Sequence, residues 1–162
     1  MAQITYLKGD ATVPLLKPDE ISVIAHCNNS KGAWGAGFVV PLGKKYPLAK
    51  KVYLDFIKET PIMERLGKVS YTDCTPNISI ANIVGQFDYR PAYKGQRLVD
   101  YDAIRKGFQD MMKRFSEIGK PYTVHMPRIG CGLANGKWDE IEKVINETFI
   151  ENGIDVYVYD LV

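Results

Sequence analysis

Runs of β-favouring residues alternate with helical patterns along the chain, and this alternation restricts the fold more than any other feature. Strands are expected at Gln3–Leu7, at Glu20–His26 (EISVIAH), at Gly67–Cys74, at Ile78–Gly85, at Tyr122–Met126 and at Ile154–Leu161. The third and fourth meet at Pro76-Asn77, the signature of a hairpin. Helices are expected at about Ala36–Lys45 and Leu48–Lys58, divided at Pro47, the second carrying Val52, Phe56 and Ile57 on one side. A further helix at Val99–Ile118 carries Ile104, Phe108, Met111, Met112, Phe115 and Ile118 as one apolar stripe. The last, Trp138–Glu151, turns Trp138, Ile141, Ile145 and Phe149 inward. Strands interleaved with helices, interrupted by one hairpin, predict a three-layer α/β/α fold with a mixed, largely parallel central sheet. At 162 residues the chain is expected to form one domain, 1–162.

Ligands of such sheets bind at the carboxyl ends of the strands. Two glycine-rich loops stand at strand-to-helix joints and so belong on that edge. The first is His26-Cys27-Asn28-Asn29-Ser30-Lys31-Gly32-Ala33-Trp34-Gly35-Ala36-Gly37-Phe38. Its glycines let backbone approach a ligand closely, and a helix begins just after them. Unpaired N–H groups and the positive helix end then make an anion site, most naturally for phosphate. A tight turn needed only for packing is the alternative for a single such loop. The second loop, Pro127-Arg128-Ile129-Gly130-Cys131-Gly132-Leu133-Ala134-Asn135-Gly136, repeats the design. Two phosphate-sized cradles on one edge suggest a diphosphate gripped from both sides.

Composition excludes several other classes. Hydrophobic residues are 46% and charged residues 25%, which argues against disorder. A formal net charge of +2 is too small to argue for nucleic acid or membrane. No apolar run approaches a membrane span, and the N-terminus lacks a signal pattern. Three scattered cysteines, Cys27, Cys74 and Cys131, make a poor disulfide framework and suit a reducing cytoplasm.

Familiar motifs fail on spacing. The glycines read G-x-x-G-x-G rather than the dinucleotide G-x-G-x-x-G. Gly37 and Gly43 are one residue too far apart for a Walker loop, and Gly43 is followed by Lys44-Lys45. No arginine stands six residues after any cysteine, as a cysteine phosphatase requires. His26, Cys27, His125 and Cys131 include no short-range pair with metal spacing, so no metal and no cofactor are expected.

The constellation resembles the macrodomain family, which binds ADP-ribose. The resemblance runs from Lys8-Gly9-Asp10 through Asn29 and Gly32–Phe38, then Met126–Leu133 (MPRIGCGL), to Val158-Tyr159-Asp160-Leu161. The Asn-x-x-Gly-x-Trp-Gly-x-Gly spacing is similar to the branch containing yeast-type ADP-ribose-1″-phosphate phosphatases. MPRIGCGL is similar to the branch containing the terminal ADP-ribose protein glycohydrolase.

The resemblance implies a ligand site at Gly9, Asp10, Ala11, Asn29, Trp34, Gly35, Ala36, Gly37, Phe38, Arg128, Ile129, Gly130, Cys131, Gly132, Leu133 and Tyr159. Asp10 would accept from the adenine amino group, or else is a turn-capping aspartate. Asn29 would bond the distal ribose. Backbone amides of Gly35–Phe38 would hold one phosphate and those of Gly130–Leu133 the other. Tyr159 would stack on or edge the adenine, or else is a plain strand aromatic. The glycohydrolase branch uses a lysine where Gln86 stands and an aspartate where Ala134 stands, so its lysine–aspartate mechanism is not expected.

The implied activity is removal of the phosphate from ADP-ribose-1″-phosphate. The alternatives are an ADP-ribosyl hydrolase acting on protein or nucleic acid, and a non-catalytic ADP-ribose-binding module. Candidate catalytic residues are His26, Asn29 and Asp88. His26 can exchange a proton at neutral pH if it stands at the mouth of the first loop, or else is a buried strand end. His125 reads as a packing residue. Arg90, Lys94 and Arg97 attract an anionic nucleotide or form a solvated face. The expected partner is a small molecule, with neither nucleic acid nor membrane involved, and the expected state is a monomer.

Overall fold

The computed structural model describes residues 1–161. Six strands form one sheet in the order β1-β6-β5-β2-β4-β3. They are β1 (Ile4–Lys8), β2 (Ile21–Asn29), β3 (Val69–Thr75), β4 (Ile78–Gln86), β5 (Tyr122–Met126) and β6 (Val156–Asp160). All neighbours are parallel except β3, which runs antiparallel to β4 through the turn at Pro76-Asn77. Four α-helices accompany them: α1 (Val39–Lys45), α2 (Pro47–Glu59), α3 (Tyr101–Ile118) and α4 (Trp138–Glu147). This is the expected α/β fold with a mixed, largely parallel sheet.

Alternation along the strands explains the layers. In β2 and β4 the side chains of Val23, Ala25, Ala81 and Ile83 pack with Ile104, Phe108 and Met111 of α3 and with Ile141 and Ile145 of α4. Their neighbours Ile24 and Ile80 point the other way, against Leu42 of α1 and Ala49 of α2. A strand apolar on both faces is stable only between two helical layers, which is why the run from Ile21 to Ala25 lacks polar alternation.

Boundaries moved where tertiary contacts overrode local pattern. β2 continues past His26 to Asn29, because β4 runs beside it: Cys27 pairs with Ile83, Asn28 with Val84 and, after a bulge, Asn29 with Gln86. α1 starts at Val39 rather than Ala36, since Gly37 takes a φ of +81° that no right-handed helix accommodates. On α2 Ala49 and Tyr53 are fully buried, while Val52, Phe56 and Ile57 are half-buried. α3 begins at Tyr101, where the Asp100 carboxylate caps the Ala103 amide at 3.0 Å, and its last stripe residue, Ile118, is 49% exposed beyond the core. α4 ends at Glu147, four residues early, because Thr148 leaves helical geometry. Phe149 still reaches the core.

Candidate functional site

The chain leaves β2 for the β4 side of the sheet and leaves β5 for the β6 side. β2 and β5 are neighbours, with Ile24 opposite His125. Their carboxyl ends therefore flank a topological switch point, where open α/β sheets bind ligands. Both glycine-rich loops grow from it and approach each other: a Cβ placed on Gly37 would stand 3.6 Å from Leu133 Cδ1. Among the described residues, the amides of Trp34, Gly35, Ala36, Gly37 and Phe38 donate to no protein acceptor, and neither do those of Gly130, Gly132 and Leu133. Gly35, Ala36, Gly37, Gly132 and Leu133 are all exposed. A solvent-facing row of unpaired N–H groups is a ready anion site. The Cys131 amide differs from expectation, because it donates to Arg128 O at 3.3 Å.

Asn29 builds the first loop from within. Its Oδ1 accepts from the amides of Lys31 (2.9 Å) and Ala33 (3.1 Å), and its Nδ2 donates to Ala33 O (3.0 Å). Tyr53 Oη donates to Asn29 O at 2.5 Å. Asn29 is 7% exposed and its carboxamide mainly braces the turn, leaving one Nδ2 hydrogen without a partner among the described residues. Trp34 folds inward, its ring 5.6 Å from His26 and 5.5 Å from Tyr53. It fits only because position 43 is glycine, where a Cβ would lie 2.7 Å from Trp34 Nε1. Trp34 is thus an anchor of the loop rather than a flat face for a ligand.

The second loop closes on itself through the Gly136 amide, which donates to Gly130 O at 2.6 Å. Gly130 has a φ of +73°, available to glycine without strain. Ile129 and Ala134 are buried beneath it, and Ala134 O accepts from the amides of Leu98 and Val99. Arg128 is committed elsewhere. Its guanidinium makes a bidentate pair with Asp160 at 2.7 and 3.0 Å and lies 5.2 Å from the rings of both Tyr6 and Trp138. That hydrogen-bonded pairing holds the Asp160 carboxyl below the usual carboxylate range.

Gly9, Asp10 and Ala11 follow β1 on the same edge. Asp10 Oδ1 accepts from Thr12 N and Thr12 Oγ1, both at 2.8 Å, whereas Oδ2 has no partner among the described residues. The turn-capping and ligand-facing readings of Asp10 are therefore compatible, one on each oxygen. Ala11 is buried. Tyr159 is buried too, packed 3.7 Å from where a Cβ on Gly9 would sit. Its hydroxyl accepts from Leu15 N (3.0 Å) and bonds His125 Nδ1 (2.8 Å). This burial leaves little of the ring for stacking and agrees with the plain strand aromatic that the sequence equally allowed.

His26 is 1% exposed, beneath Trp34 and Phe38 rather than at the loop mouth. Burial lowers its pKa to about 4, against a partly compensating hydrogen bond from Nε2 to Asn82 Oδ1. It is neutral at pH 7. Asp88 lies on the next loop of the edge, tied to the first through Ser30 N donating to Phe87 O. The Arg90 amide, then the Tyr89 amide and the Arg90 side chain, hold its carboxyl below the usual range. Gln86 is 9% exposed and donates to Asp88 O, while Ala134 is 5% exposed. Burial pushes the Cys27 thiol up to about 12, so neither it nor Cys131, also raised, is a poised nucleophile.

Arg90 lies 5.1 Å over the Tyr89 ring, and Lys31 lies 4.8 Å over Phe87. Sequence reasoning missed Tyr53, Asn82 and Gly43, the residues that seat the first loop, because their partners are distant in the chain. No group of His, Cys, Asp and Glu among the described residues could hold a metal. Nor is any described helix long and apolar enough to cross a membrane. Two open hollows are also present: one of about 340 Å³ is lined by Arg97, Tyr101, Glu140 and Glu147, and one of about 490 Å³ by Lys120, Tyr122 and Asp155. Their linings lack the row of unpaired amides that marks the switch point.

No family model matches the chain. It is 28% identical over 186 residues to the ADP-ribose 1″-phosphate phosphatase of Candida glabrata, covering 99% of this chain and 100% of that protein. It is 26% identical over 162 residues to ADP-ribose glycohydrolase OARD1 of Bos taurus, covering 99% of this chain and 93% of that protein. A solved structure of a protein of unknown function from Bacteroides thetaiotaomicron is 38% identical, with a TM-score of 0.87 and 98% of both chains covered. A macrodomain protein from Streptomyces coelicolor is 32% identical, with a TM-score of 0.80, covering 98% of this chain and 99% of that one. With the sheet order, the paired loops and that identity over nearly its whole length, the chain belongs to the macrodomain family.

Proposed function

We propose that this protein binds ADP-ribose across the β2/β5 switch point and hydrolyses the phosphate of ADP-ribose-1″-phosphate, giving ADP-ribose and phosphate. The observation that carries the reading is the close approach, at Gly37 and Leu133, of two loops whose amides lack protein acceptors. Anionic oxygens there meet N–H dipoles from both sides. In this reading Gly35–Phe38 hold the phosphate toward the distal ribose, and Gly130, Gly132 and Leu133 hold the other. Asp10 Oδ2 takes the adenine amino group, and the spare Nδ2 hydrogen of Asn29 takes a ribose hydroxyl.

Asp88 is the carboxylate proposed to accept a proton from the attacking water, since it is ionised at neutral pH and has no bound hydrogen to give. His26 then acts through the loop it supports rather than on the substrate. Supporting the phosphatase over the glycohydrolase are Gln86 and Ala134, which supply neither the adduct-forming amine nor the acid of that branch.

The test is incubation with ADP-ribose-1″-phosphate, following inorganic phosphate and ADP-ribose together. Stoichiometric release of both is expected. ADP-ribose binding without phosphate release sinks the catalytic part and leaves a binding module. Release of ADP-ribose from a modified protein or nucleic acid, without phosphate release, favours an ADP-ribosyl hydrolase.

A further inference from the structure

We infer that Tyr159 and His125 are positioning residues that set selectivity for the base, by fixing the Asp10–Leu16 loop relative to the second phosphate loop; this rests on the ADP-ribose reading above. Leu15 is held at both backbone groups. Its N–H donates to Tyr159 Oη at 3.0 Å, and its carbonyl accepts from Ser22 Oγ at 2.6 Å. The Tyr159 hydroxyl bonds His125 Nδ1 at 2.8 Å, and His125 Nε2 bonds Thr123 Oγ1 at 2.8 Å. His125 is 1% exposed and stacked on Tyr157, with ring centroids 4.9 Å apart and planes 7° apart.

His125 belongs to β5, the strand that leads directly into Arg128–Gly136. The chain Leu15–Tyr159–His125 therefore joins the loop that carries Asp10 to the strand that carries the phosphate amides. Tyr46 Oη donating to Thr12 O at 2.8 Å holds the same loop from the α1/α2 side. An unpaired Asp10 Oδ2 discriminates between bases only if its distance from the diphosphate is fixed. An aspartate on a loose loop still attracts polar ligands but loses that register.

The experiment compares ADP-ribose with its hypoxanthine analogue, in which an oxo group replaces the adenine amino group, in the wild type and in Tyr159→Phe. Phenylalanine keeps the ring against Gly9 and removes only the hydroxyl. The wild type is expected to prefer ADP-ribose by about tenfold, and Tyr159→Phe to lose about fivefold in ADP-ribose affinity with under about twofold change for the analogue. Equal weakening of both ligands, or no change in either, overturns the inference while leaving the proposed function standing. Wild type that binds neither ligand overturns the function and the inference together.

Should Tyr159→Phe fail to fold, amide exchange at Leu15 in the wild type gives the answer. Protection at Leu15 is expected to rise with ADP-ribose and to stay unchanged with ribose 5-phosphate, which lacks the base. An equal rise with both overturns it.

Discussion

Gly37 and Leu133, 96 positions apart in sequence, stand close enough that a single added carbon on Gly37 would reach the leucine at 3.6 Å. The two glycine-rich loops approach each other here. Gly37 also holds a φ of +81°, where a side chain costs about 1–2 kcal/mol. Gly37→Val is therefore expected to lower stability by about that amount and to weaken ADP-ribose binding at least about tenfold. Calorimetric titration beside a urea melt checks both, and full affinity in a folded variant refutes the phosphate placement.

Asp10 uses Oδ1 to hold Thr12 and leaves Oδ2 for the proposed adenine contact. Asp10→Asn keeps an Oδ1 acceptor for Thr12 but can turn an NH₂ toward the adenine amino group. Stability is expected to change by less than about 0.5 kcal/mol, while ADP-ribose affinity falls about tenfold or more. An unaltered dissociation constant would leave Asp10 as a turn cap only.

Asp88→Asn tests the chemistry apart from binding. The amide still accepts from the Tyr89 and Arg90 backbone but takes no proton. Phosphate release from ADP-ribose-1″-phosphate is expected to fall about a hundredfold or more, with ADP-ribose binding within about twofold. Equal turnover numbers would remove this carboxylate from the mechanism.

His26 predicts a pH profile. Its pKa is about 4 when folded and lies near 6.5 when exposed. Between those values the unfolded chain takes up the proton, so stability is full above about 6.5 and declines as pH falls toward 4. His125, lowered to about 4 chiefly by burial, titrates in the same window. Each contributes on the order of 3 kcal/mol to the difference. Urea unfolding at pH 7.5 and 4.5 should show the loss, and His26→Gln should shrink it. A variant with the wild-type pH slope would contradict the burial of this ring.

Much of the fold was legible along the chain because its signals are local. The β-branched run of β2, the Pro76-Asn77 turn and the Ile104–Phe115 stripe each need only a dozen residues to be recognised. Both glycine loops were legible for the same reason. Alternatives remained where a distant element set the outcome. His26 stayed open between an available acid or base and a buried strand end because nothing nearby in sequence reveals that Trp34 folds back over it, into a space that Gly43 leaves open. Tyr159 stayed open between a ligand-facing and a plain strand aromatic because its tether to His125 and Leu15 spans 34 and 144 positions.

From its order of residues alone the chain specified parallel strands with helices on both sides and two loops rich in free amides, since strand and helix periods and glycine's missing side chain act over short stretches. Tertiary structure alone decided that these loops approach each other, which polar side chains face the carboxyl edge of the sheet, and which are sealed beneath it. Those outcomes depend on strand order and on contacts between residues tens of positions apart, where desolvation and packing, rather than local preference, set the energy.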